Sequence, residues 1–495
     1  MKRALLCAAL ACTTMACATS QTPTLTPTPE ATPPADASLK LASDPGSQTA
    51  SGEDGEEVAA APTRVGSESW LGAAAGSDYV LVGGQEQFVG VWVEIPEAAR
   101  RAHVPTMLTL TIDTSGSMQG EKIVQARTAA RALVQEMKRG DMVAIHTFSD
   151  RAERLIAPTV LTPESRQAIL STIAELSADG STNMFEALEL ALDDTRRAPA
   201  SHPVRRVVMI SDGRATAGPT QTETLARVAE RGMDQGVQVT AMGVGLDYDE
   251  NTLNELAVRS SGRLFHLSDP QELAGIVKSE LGLLQKTMAT NAVVEIVPAP
   301  GVRLVSAQGV RSQWGGSGNL EVPLGTMFSG QRREILVAFR LDGHEVEGTK
   351  PIASARLHFR DPAEGGLDRV QEVVVRGQLT NDASLAQRHE NPEVQAIIAL
   401  HRASTVATAA RADLSHGDFD EAEQRLAKAE ADLRQRATKA RTAEDKKRMM
   451  QAASSIAKNR SQVAAAAAAP APARAAAARK SSLELNDAAM DMQGF

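Results

Sequence analysis

The sequence predicts an α/β protein built around a doubly wound, mostly parallel sheet, which is inserted in or followed by an antiparallel β-sandwich and ends in an α-helical hairpin region. Three observations support this fold class. Apolar runs and amphipathic segments alternate between residues 105 and 286. Short strand-like runs separated by turn residues lie on both sides of that segment, and a long stretch near the C-terminus shows helical periodicity. A chain of 495 residues is long enough for two or three such domains.

The alternation within residues 105–286 is the strongest of these patterns. Buried apolar strands alternating with amphipathic helices indicate a mostly parallel sheet covered by helices on both faces. The strand-like runs are 107–112, 142–148, 205–211, 237–244 and 263–267, and the helical segments are 121–137, 163–176, 183–197, 222–236, 251–262 and 269–286. Ligands bind such sheets at the carboxyl ends of the strands, where Asp113 and Asp212 lie.

The flanking segments predict one β-domain that the α/β segment divides. Residues 79–95 contain two runs of β-branched and aromatic residues around a turn at Gly83-Gly84. A lone hairpin is marginally stable in water, so these strands need partners. Short strand-like runs between residues 287 and 380 have the spacing of an antiparallel sandwich. We therefore expect residues 63–104 to supply the N-terminal strands of the sandwich and residues 287–380 to supply the rest.

The C-terminal part predicts helices followed by a tail. Within residues 381–463, the segment 417–436 has apolar residues along one side and resembles the second half of a tetratricopeptide unit. Arrays of such units need about three repeats to be stable. Only one is found, so a plain helical hairpin is the expectation. The Ala- and Pro-rich residues 464–495 are typical of a low-complexity linker and tail, disordered or marginally helical.

The N-terminus predicts export and a lipid anchor. Residues 1–16 combine a basic start with a short apolar stretch, as in a secretory signal peptide. The sequence TMAC resembles a bacterial lipobox, which makes Cys17 the predicted lipidation site. Ala18 then implies the outer membrane by the same resemblance. Cleavage before Cys12, or an ordinary signal with an incidental cysteine, are the alternatives. Residues 17–62, rich in Thr and Pro, are a predicted disordered linker.

These features predict an exported bacterial lipoprotein of the outer membrane, facing the periplasm or the cell surface and meeting the membrane only through its N-terminal lipid anchor. The formal net charge of −9 argues against nucleic-acid binding, because phosphate contacts need a basic face. All three cysteines lie within the first seventeen residues, so we expect no disulfide in the mature protein.

Three loops carry the chemistry. DTSGS (113–117) follows the first strand of the sheet, DGSTNMFEAL (179–188) precedes a helix, and ISDGRAT (210–216) ends a later strand. Together they resemble the von Willebrand factor type A domain and its metal-ion-dependent adhesion site, which is Asp-x-Ser-x-Ser followed by a distant Thr and a distant Asp. The resemblance covers about residues 105–286. It implies a Rossmann-like fold and a metal site formed by five residues, namely Asp113, Ser115, Ser117, Thr182 and Asp212.

The residue types favour a hard divalent cation. An extended Asp-x-Ser-x-Ser segment turns alternate side chains to one side, so a carboxylate and two hydroxyls converge. Mg²⁺ prefers six oxygen ligands at about 2.1 Å, and we expect Mg²⁺, or Mn²⁺ or Ca²⁺, at this site. The family resemblance implies that Thr182 binds the cation directly or through water, and that Asp212 binds it through water. Neutral hydroxyls leave the charge of the ion incompletely balanced, so the ion attracts a carboxylate from a partner protein.

Each of these residues also has a simpler interpretation. Asp113 would cap a helix, and the two serines would be ordinary loop residues. Thr182 or Asn183 would be a helix N-cap, and Asp212 would form a turn with Gly213. All five residues occurring in the required order favours the metal site over these separate explanations.

Enzyme classes fit poorly, and we expect no catalytic activity. An aspartic protease needs a second carboxylate loop, and DTSGS has Ser115 inserted before the glycine. A serine nucleophile of the Gly-x-Ser-x-Gly type needs outer glycines that TSGSM lacks. LDYDENTL (246–253) resembles a calcium loop, but Thr252 stands where glycine is required. Asp249 or Asn251 is more simply a helix cap there.

Two functions remain. In the first, a cell-envelope-anchored protein binds an acidic side chain of a partner protein through the cation, for adhesion or assembly. In the alternative, the protein is a scaffold or assembly factor whose metal is structural and whose C-terminal helices bind the partner.

Overall fold

The computed structural model describes residues 69–97, 103–245, 247–267, 270–308, 310–343 and 348–492. The predicted signal peptide (1–16), lipidation site Cys17 and linker (17–62) lie outside these residues. The described part begins with three short strands, which are β1 (Leu71–Ala75), β2 (Tyr79–Leu81) and β3 (Glu86–Glu94). None of these strands pairs with the sheet that follows them in the chain; all three join the β-sandwich.

The next domain is the predicted α/β domain. Its elements are β4 (Thr106–Asp113), α1 (Glu121–Glu136), β5 (Met142–Phe148), β6 (Ala152–Val160), α2 (Pro163–Ala174), α3 (Met184–Arg196), β7 (Val204–Ser211), α4 (Thr222–Asp234), β8 (Gln238–Val244), α5 (Glu250–Arg259), β9 (Leu264–Leu267) and α6 (Pro270–Leu284). The six strands lie in the order β6-β5-β4-β7-β8-β9. All pairs are parallel except β5 with β6. The doubly wound sheet is therefore confirmed.

The sheet order places the candidate residues. β4 lies in the middle of the sheet and is buried at every residue, and β7 is its direct neighbour. Because the two strands are parallel, the residues at their carboxyl ends meet at one edge of the sheet. Asp113 ends β4, and Asp212 directly follows β7. The strand β6 was not predicted, because its mixed polar sequence is that of an exposed antiparallel edge strand with no apolar run.

The β-sandwich takes strands from both sides of the α/β domain. Its later strands are β10 (Thr287–Pro298), β11 (Val302–Gln308), β12 (Gln313–Trp314), β13 (Leu320–Phe328), β14 (Arg332–Leu341), β15 (Thr349–Asp361) and β16 (Leu367–Thr380). One sheet has the order β1-β3-β14-β11 and the other β12-β13-β10-β15-β16-β2. The insertion of the α/β domain into the sandwich is thus confirmed. The run at 79–95 is not a hairpin, however: β2 pairs with β16 in one sheet, and β3 pairs with β1 and β14 in the other.

The C-terminal region contains more helices than the predicted hairpin. After the short α7 (Ala383–Arg388) come four long helices, α8 (Pro392–His416), α9 (Phe419–Lys439), α10 (Ala443–Ala468) and α11 (Ala471–Met492). The expectation of a plain hairpin was wrong, and so was that of a linker and tail over residues 464–495. α11 packs on α8 and α10 through four buried apolar residues, which are Leu485, Ala488, Ala489 and Met492. This buried surface orders a segment whose composition alone indicates disorder.

α11 also contacts the α/β domain beside the candidate site. Leu483 is buried among core residues of that domain. The Arg479 guanidinium donates a hydrogen bond to the carbonyl of Tyr248, and Asn486 Nδ2 donates to Asn254 Oδ1 at 2.9 Å. The loop between β8 and α5 is therefore held on one side by the C-terminal helices. In the part of the chain that the structure describes, no helix has the length and apolar composition needed to span a membrane.

Candidate functional site

The first loop of the site fixes the carboxylate of Asp113. This side chain is fully buried at the end of β4, and a 3₁₀ turn (Gly116–Met118) follows it. Asp113 Oδ1 accepts a hydrogen bond from the Ser115 backbone N–H at 2.9 Å. Asp113 Oδ2 accepts one from Ser211 Oγ at 2.5 Å, across the sheet edge. Backbone and side-chain donors from two strands thus hold this carboxylate in one orientation.

The two serine hydroxyls of the same loop converge. Ser115 Oγ and Ser117 Oγ lie 3.1 Å apart, and Ser115 is buried. Two adjacent ligands of an octahedral cation with bonds of about 2.1 Å are separated by about 3.0 Å. The spacing of the hydroxyls therefore fits two neighbouring ligand positions around Mg²⁺.

The second loop, which carries Thr182, packs directly on the first. Gly116 N–H donates to the Gly180 carbonyl at 2.9 Å, and Asp179 N–H donates to the Thr114 carbonyl at 2.8 Å. Thr182 is buried at the centre of the three loops. Among the described residues, its hydroxyl makes no hydrogen bond to the other four candidate residues. The structure brings Thr182 into the cluster through its backbone.

The third loop supplies Asp212, whose carboxylate is only half satisfied. The side chain is fully buried, and Oδ2 accepts a hydrogen bond from Lys122 Nζ at 3.0 Å. Oδ1 is buried and has no hydrogen-bond partner among the described residues. The backbone is fixed by Asp249 N–H, which donates to the Asp212 carbonyl at 2.7 Å. A buried carboxylate oxygen without a donor is the feature expected of a group that awaits a cation.

Sequence analysis missed Lys122, the cation of this cluster. Lys122 is the second residue of α1, and its Nζ lies 3.0 Å from both Asp212 Oδ2 and Asp247 Oδ1. Partial burial lowers the pKa of Lys122, but the hydrogen bonds to Asp247 and Asp212 outweigh burial and raise it above the usual value. One signal was present in the sequence. A cation in the first turn of a helix opposes the helix dipole, so it needs an acidic partner elsewhere.

The electrostatics of the site are set by burial. Burial raises the pKa of Asp113 to about 6, against the hydrogen bonds from Ser115 and Ser211 that lower it. The nearby charge of Asp212 raises it further. Two buried carboxylates in one cluster therefore repel each other, and among the described residues only Asp212 has a cationic neighbour, Lys122. A divalent cation would relieve this repulsion.

The helix caps and turns around the site involve several of the candidate residues and their neighbours. Asp113 caps no helix, because α1 starts at Gly120 as its N-cap and has no side-chain cap. Asn183 does cap α3, and Asp249 caps α5. The turn after β7 is closed by Ser211 Oγ, which accepts the Gly213 N–H at 2.8 Å. Asp212 is therefore not used by the local turn, whereas Asp113 makes a local turn by accepting the Ser115 N–H but caps no helix.

The donor set is typical of a hard cation. Within the described residues no group of three or more His, Cys, Asp or Glu side chains is placed to hold a metal. The candidate set instead has two carboxylates and three hydroxyls, all oxygen donors, which suits Mg²⁺ and Mn²⁺ rather than a soft metal. The residues that would hold it are Asp113, Ser115, Ser117, Thr182 and Asp212.

Comparisons with known proteins agree with this fold. Residues 108–279 match the family model of the von Willebrand factor type A domain, so the chain contains such a domain. Among solved structures, a von Willebrand factor type A protein from Catenulispora acidiphila has a TM-score of 0.67 at 16% identity and covers 85% of this chain and 97% of its own. The ArnB paralog VWA2 from Sulfolobus acidocaldarius has a TM-score of 0.54 at 14% identity and covers 86% and 97%. At such identities the likeness concerns the fold alone.

Relatives by sequence share a part of the chain. An uncharacterized protein of Synechocystis sp., sll0103, is 24% identical over 271 residues, which cover 53% of this chain and 63% of the relative. Inter-alpha-trypsin inhibitor heavy chain H4 of Sus scrofa is 29% identical over 174 residues, which cover 34% of this chain and 19% of the relative. The chain thus spans less than two thirds of the length of these relatives.

Proposed function

We propose that this protein is a cell-envelope-anchored binding protein that holds a divalent cation, Mg²⁺ or Mn²⁺, in the three-loop cluster and binds a carboxylate of a partner protein through it. The proposed role is adhesion or assembly, without a catalytic step. Domains of the von Willebrand A type generally mediate protein–protein interaction, which supports the binding role. The envelope anchor is proposed from the N-terminal sequence and Cys17.

One observation carries the proposal: within the described part of the chain, Asp212 Oδ1 is buried without a hydrogen-bond donor, near a second buried carboxylate. Leaving such a group unsatisfied costs about 1–3 kcal/mol, and more when it is charged. An ion that binds at the group is one of the explanations for such an unsatisfied atom in a folded protein. Asp113 and two hydroxyls 3.1 Å apart supply the other oxygens that a hard cation requires.

The charge balance points to an acidic ligand. A bound cation supplies an electrophilic centre for an oxygen ligand. Ser115, Ser117 and Thr182 offer neutral hydroxyls, and Lys122 already balances part of the charge of Asp212. Asp247 also pairs with Lys122, but it pairs with Arg214 as well, so the carboxylates of the cluster cannot neutralise a divalent ion together with these two cations. A carboxylate from outside would complete the balance.

The scaffold alternative has less support. Partner-binding helices need an exposed apolar face, since apolar area drives most protein association. Within the described residues, the large hydrophobic side chains that are exposed are Val124, Leu155, Val160, Trp314, Leu367, Val370 and Val374. None of them lies in α7–α11, whose apolar residues pack against each other, the sandwich and the α/β domain.

The direct test uses the intact chain and the variant Asp113→Asn. Partners would be captured from envelope extract with Mg²⁺ and again with chelator. We expect capture that depends on Mg²⁺ and is lost in the variant, although the variant still unfolds in one cooperative melting transition and is therefore folded. Capture that survives both chelator and Asp113→Asn would rule out binding through the metal and favour the scaffold.

The anchor is tested separately with Cys17→Ser. We expect radiolabelled fatty acid to be incorporated into the wild-type chain and not into the variant. Incorporation that persists in the variant would contradict lipidation at Cys17 and leave the metal-dependent part of the proposal untouched.

A further inference from the structure

The ammonium group of Lys122 lies close to the proposed metal site. Its ammonium group bonds to Asp212 Oδ2 and Asp247 Oδ1, both at 3.0 Å. Among the described residues it bonds to none of Asp113, Ser115 and Ser117. Lys122 therefore lies beside the converging hydroxyls and does not occupy the position between them.

The stem of Lys122 is also held in place. Gly245, at the end of β8, has a positive φ of 84°, and a Cβ built on it would lie 3.0 Å from Lys122 Cε. The glycine thus leaves room for the lysine stem under the loop that carries Asp247. With its Nζ bound at two points and its stem packed, the ammonium group has one defined position.

The two oxygens of the Asp212 carboxylate therefore have different surroundings. Oδ2 faces a permanent cation, and Oδ1 is buried and free of hydrogen-bond donors among the described residues. Asp247 pairs in turn with Arg214, so the three carboxylates of Asp113, Asp212 and Asp247 and the two cations Lys122 and Arg214 together carry a net charge of −1. A divalent cation bound there would leave the cluster with a net charge of +1.

We propose that Lys122 is a positioning residue and a built-in positive charge, which weakens binding of the free cation and leaves the bound cation with an excess charge that a partner's carboxylate balances. This inference rests on the proposed function of the site. It makes metal and acid ligand bind cooperatively, because each supplies the charge that the other lacks.

The first test measures Mn²⁺ binding by titration calorimetry on the full chain. Removing a positive charge that lies this close to the ion in a buried cluster is expected to tighten Mn²⁺ binding at least tenfold in Lys122→Met. Lys122→Arg keeps the charge and should stay within about threefold of the wild type. The matched control is Lys138→Met, the same change at an exposed residue beyond the other end of α1, about 20 Å away or more, and it should change nothing.

A second variant acts in the opposite direction and leaves Lys122 in place. Asp247 has 57% of its side chain exposed, so Asp247→Asn is not expected to disturb folding. Without Asp247, the charge of Lys122 is balanced by Asp212 alone, and Mn²⁺ binding should weaken several-fold. Unchanged affinity in Asp247→Asn, or equal or weaker affinity in Lys122→Met, overturns the inference.

Cooperativity is tested with acetate as the acid ligand. Replacing chloride by acetate at constant ionic strength should tighten Mn²⁺ binding by a larger factor in the wild type than in Lys122→Met. Equal factors in the two proteins overturn this part of the inference. The outcomes also separate the two proposals. If neither the wild type nor Lys122→Met binds Mn²⁺, the proposed function is contradicted. If the wild type binds Mn²⁺ and Lys122→Met does not bind it more tightly, only the proposed role of Lys122 is contradicted.

Discussion

Asp194 and Asp212 are two buried aspartates of the same domain with opposite surroundings. Asp194, on α3, accepts hydrogen bonds at both oxygens: His146 Nε2 lies 2.9 Å from Oδ2, and Arg154 Nε and Nη2 lie 2.5 and 2.6 Å from Oδ2 and Oδ1. Asp212 has a donor at one oxygen and none at the other among the described residues. Burial alone therefore does not distinguish a structural carboxylate from a candidate ligand; the number of satisfied oxygens does.

The two environments also differ in what they connect. Asp194 ties α3 to β5 and to the edge strand β6, and it lies away from the loops at the carboxyl ends of β4 and β7. Asp212 lies among three loops, with Asp113 nearby and Ser211 between them. The contacts of Asp194 are thus those of a carboxylate that maintains the fold, whereas those of Asp212 are compatible with a candidate ligand.

The largest expected effect comes from Asp212→Asn. Removing the carboxylate removes a candidate metal ligand and leaves Lys122 paired with Asp247 alone. We expect Mn²⁺ affinity to fall by more than about a hundredfold, which exceeds the usual effect of outer-shell changes. Titration calorimetry checks it, with metal-free melting as the control. Binding that is undiminished in this variant would remove Asp212 from the site.

The second effect concerns pH. Because the pKa of Asp113 is about 6 in the folded protein and 3.8 ordinarily, the folded state holds a proton that the unfolded state releases between these values. Stability of the metal-free domain should fall as pH rises from about 4 to above 6, by about 3 kcal/mol in total. Mg²⁺ should abolish the loss, since it stabilises the charged carboxylate.

Melting temperatures of the wild type and Asp113→Asn at pH 4.5 and 7.5 measure this contribution, because the difference between the two proteins isolates Asp113 from other groups that titrate. An equal pH dependence in both proteins, without metal, would show that Asp113 does not titrate in this range.

The third expected effect is a loss of stability in Asp194→Asn without a loss of metal binding. Asp194→Asn removes charge-assisted hydrogen bonds to Arg154 and His146, so we expect a loss of about 2 kcal/mol of stability. Mn²⁺ affinity should stay unchanged, because the residue lies outside the three loops. Thermal melting and calorimetry on one preparation give both numbers. If this variant lost metal binding as Asp212→Asn does, the contrast between the two aspartates would disappear.

The smallest effect is expected at Thr182. Its hydroxyl makes no hydrogen bond with the other candidate residues among those described, so its part in the site is the least constrained. Thr182→Val keeps the shape and removes the oxygen, and we expect about a tenfold weaker Mn²⁺ binding. Thr182→Ser, which keeps the hydroxyl, is the control and should stay near the wild type. A Val variant that binds as tightly as the wild type would limit the site to the other two loops.

The sequence predicted the parts of the fold that have strong periodicity. The strands β4, β5, β7 and β8 are apolar runs buried in the sheet, and the amphipathic helices between them follow directly from their spacing. Because the strands are parallel, the sequence order of the loops also predicted that Asp113 and Asp212 would meet at one edge.

Other elements depend on packing that no local pattern reveals. β1 has the sequence LGAAA, which has little strand propensity, but Gly72 lies against the ring of Trp92, where a Cβ would come within 2.3 Å of the ring atoms. α11 is ordered by contacts with α8, α10 and the loop at Tyr248. Such long-range contacts override local composition, so these two segments could not be predicted from it.

The candidate site also contains residues that the sequence predicts and contacts that it does not. The Asp-x-Ser-x-Ser pattern, Thr182 and Asp212 are readable in the sequence. The pairing of Lys122 with Asp247 is not, since the two residues come from α1 and from the loop after β8 and meet only in the folded domain. The sequence predicts a preference for an acidic ligand from the neutral hydroxyls, whereas the additional positive charge of Lys122 beside the site is identified only by the structure.

Anomalous diffraction from a crystal of the protein soaked in Mn²⁺ tests the central claim most directly. The account predicts one strong peak among the three loops, about 2.1–2.2 Å from Ser115 Oγ and Ser117 Oγ and close to the carboxylate of Asp113. A crystal with intact loops that shows no peak there, or a peak only at exposed acidic residues elsewhere, would contradict it.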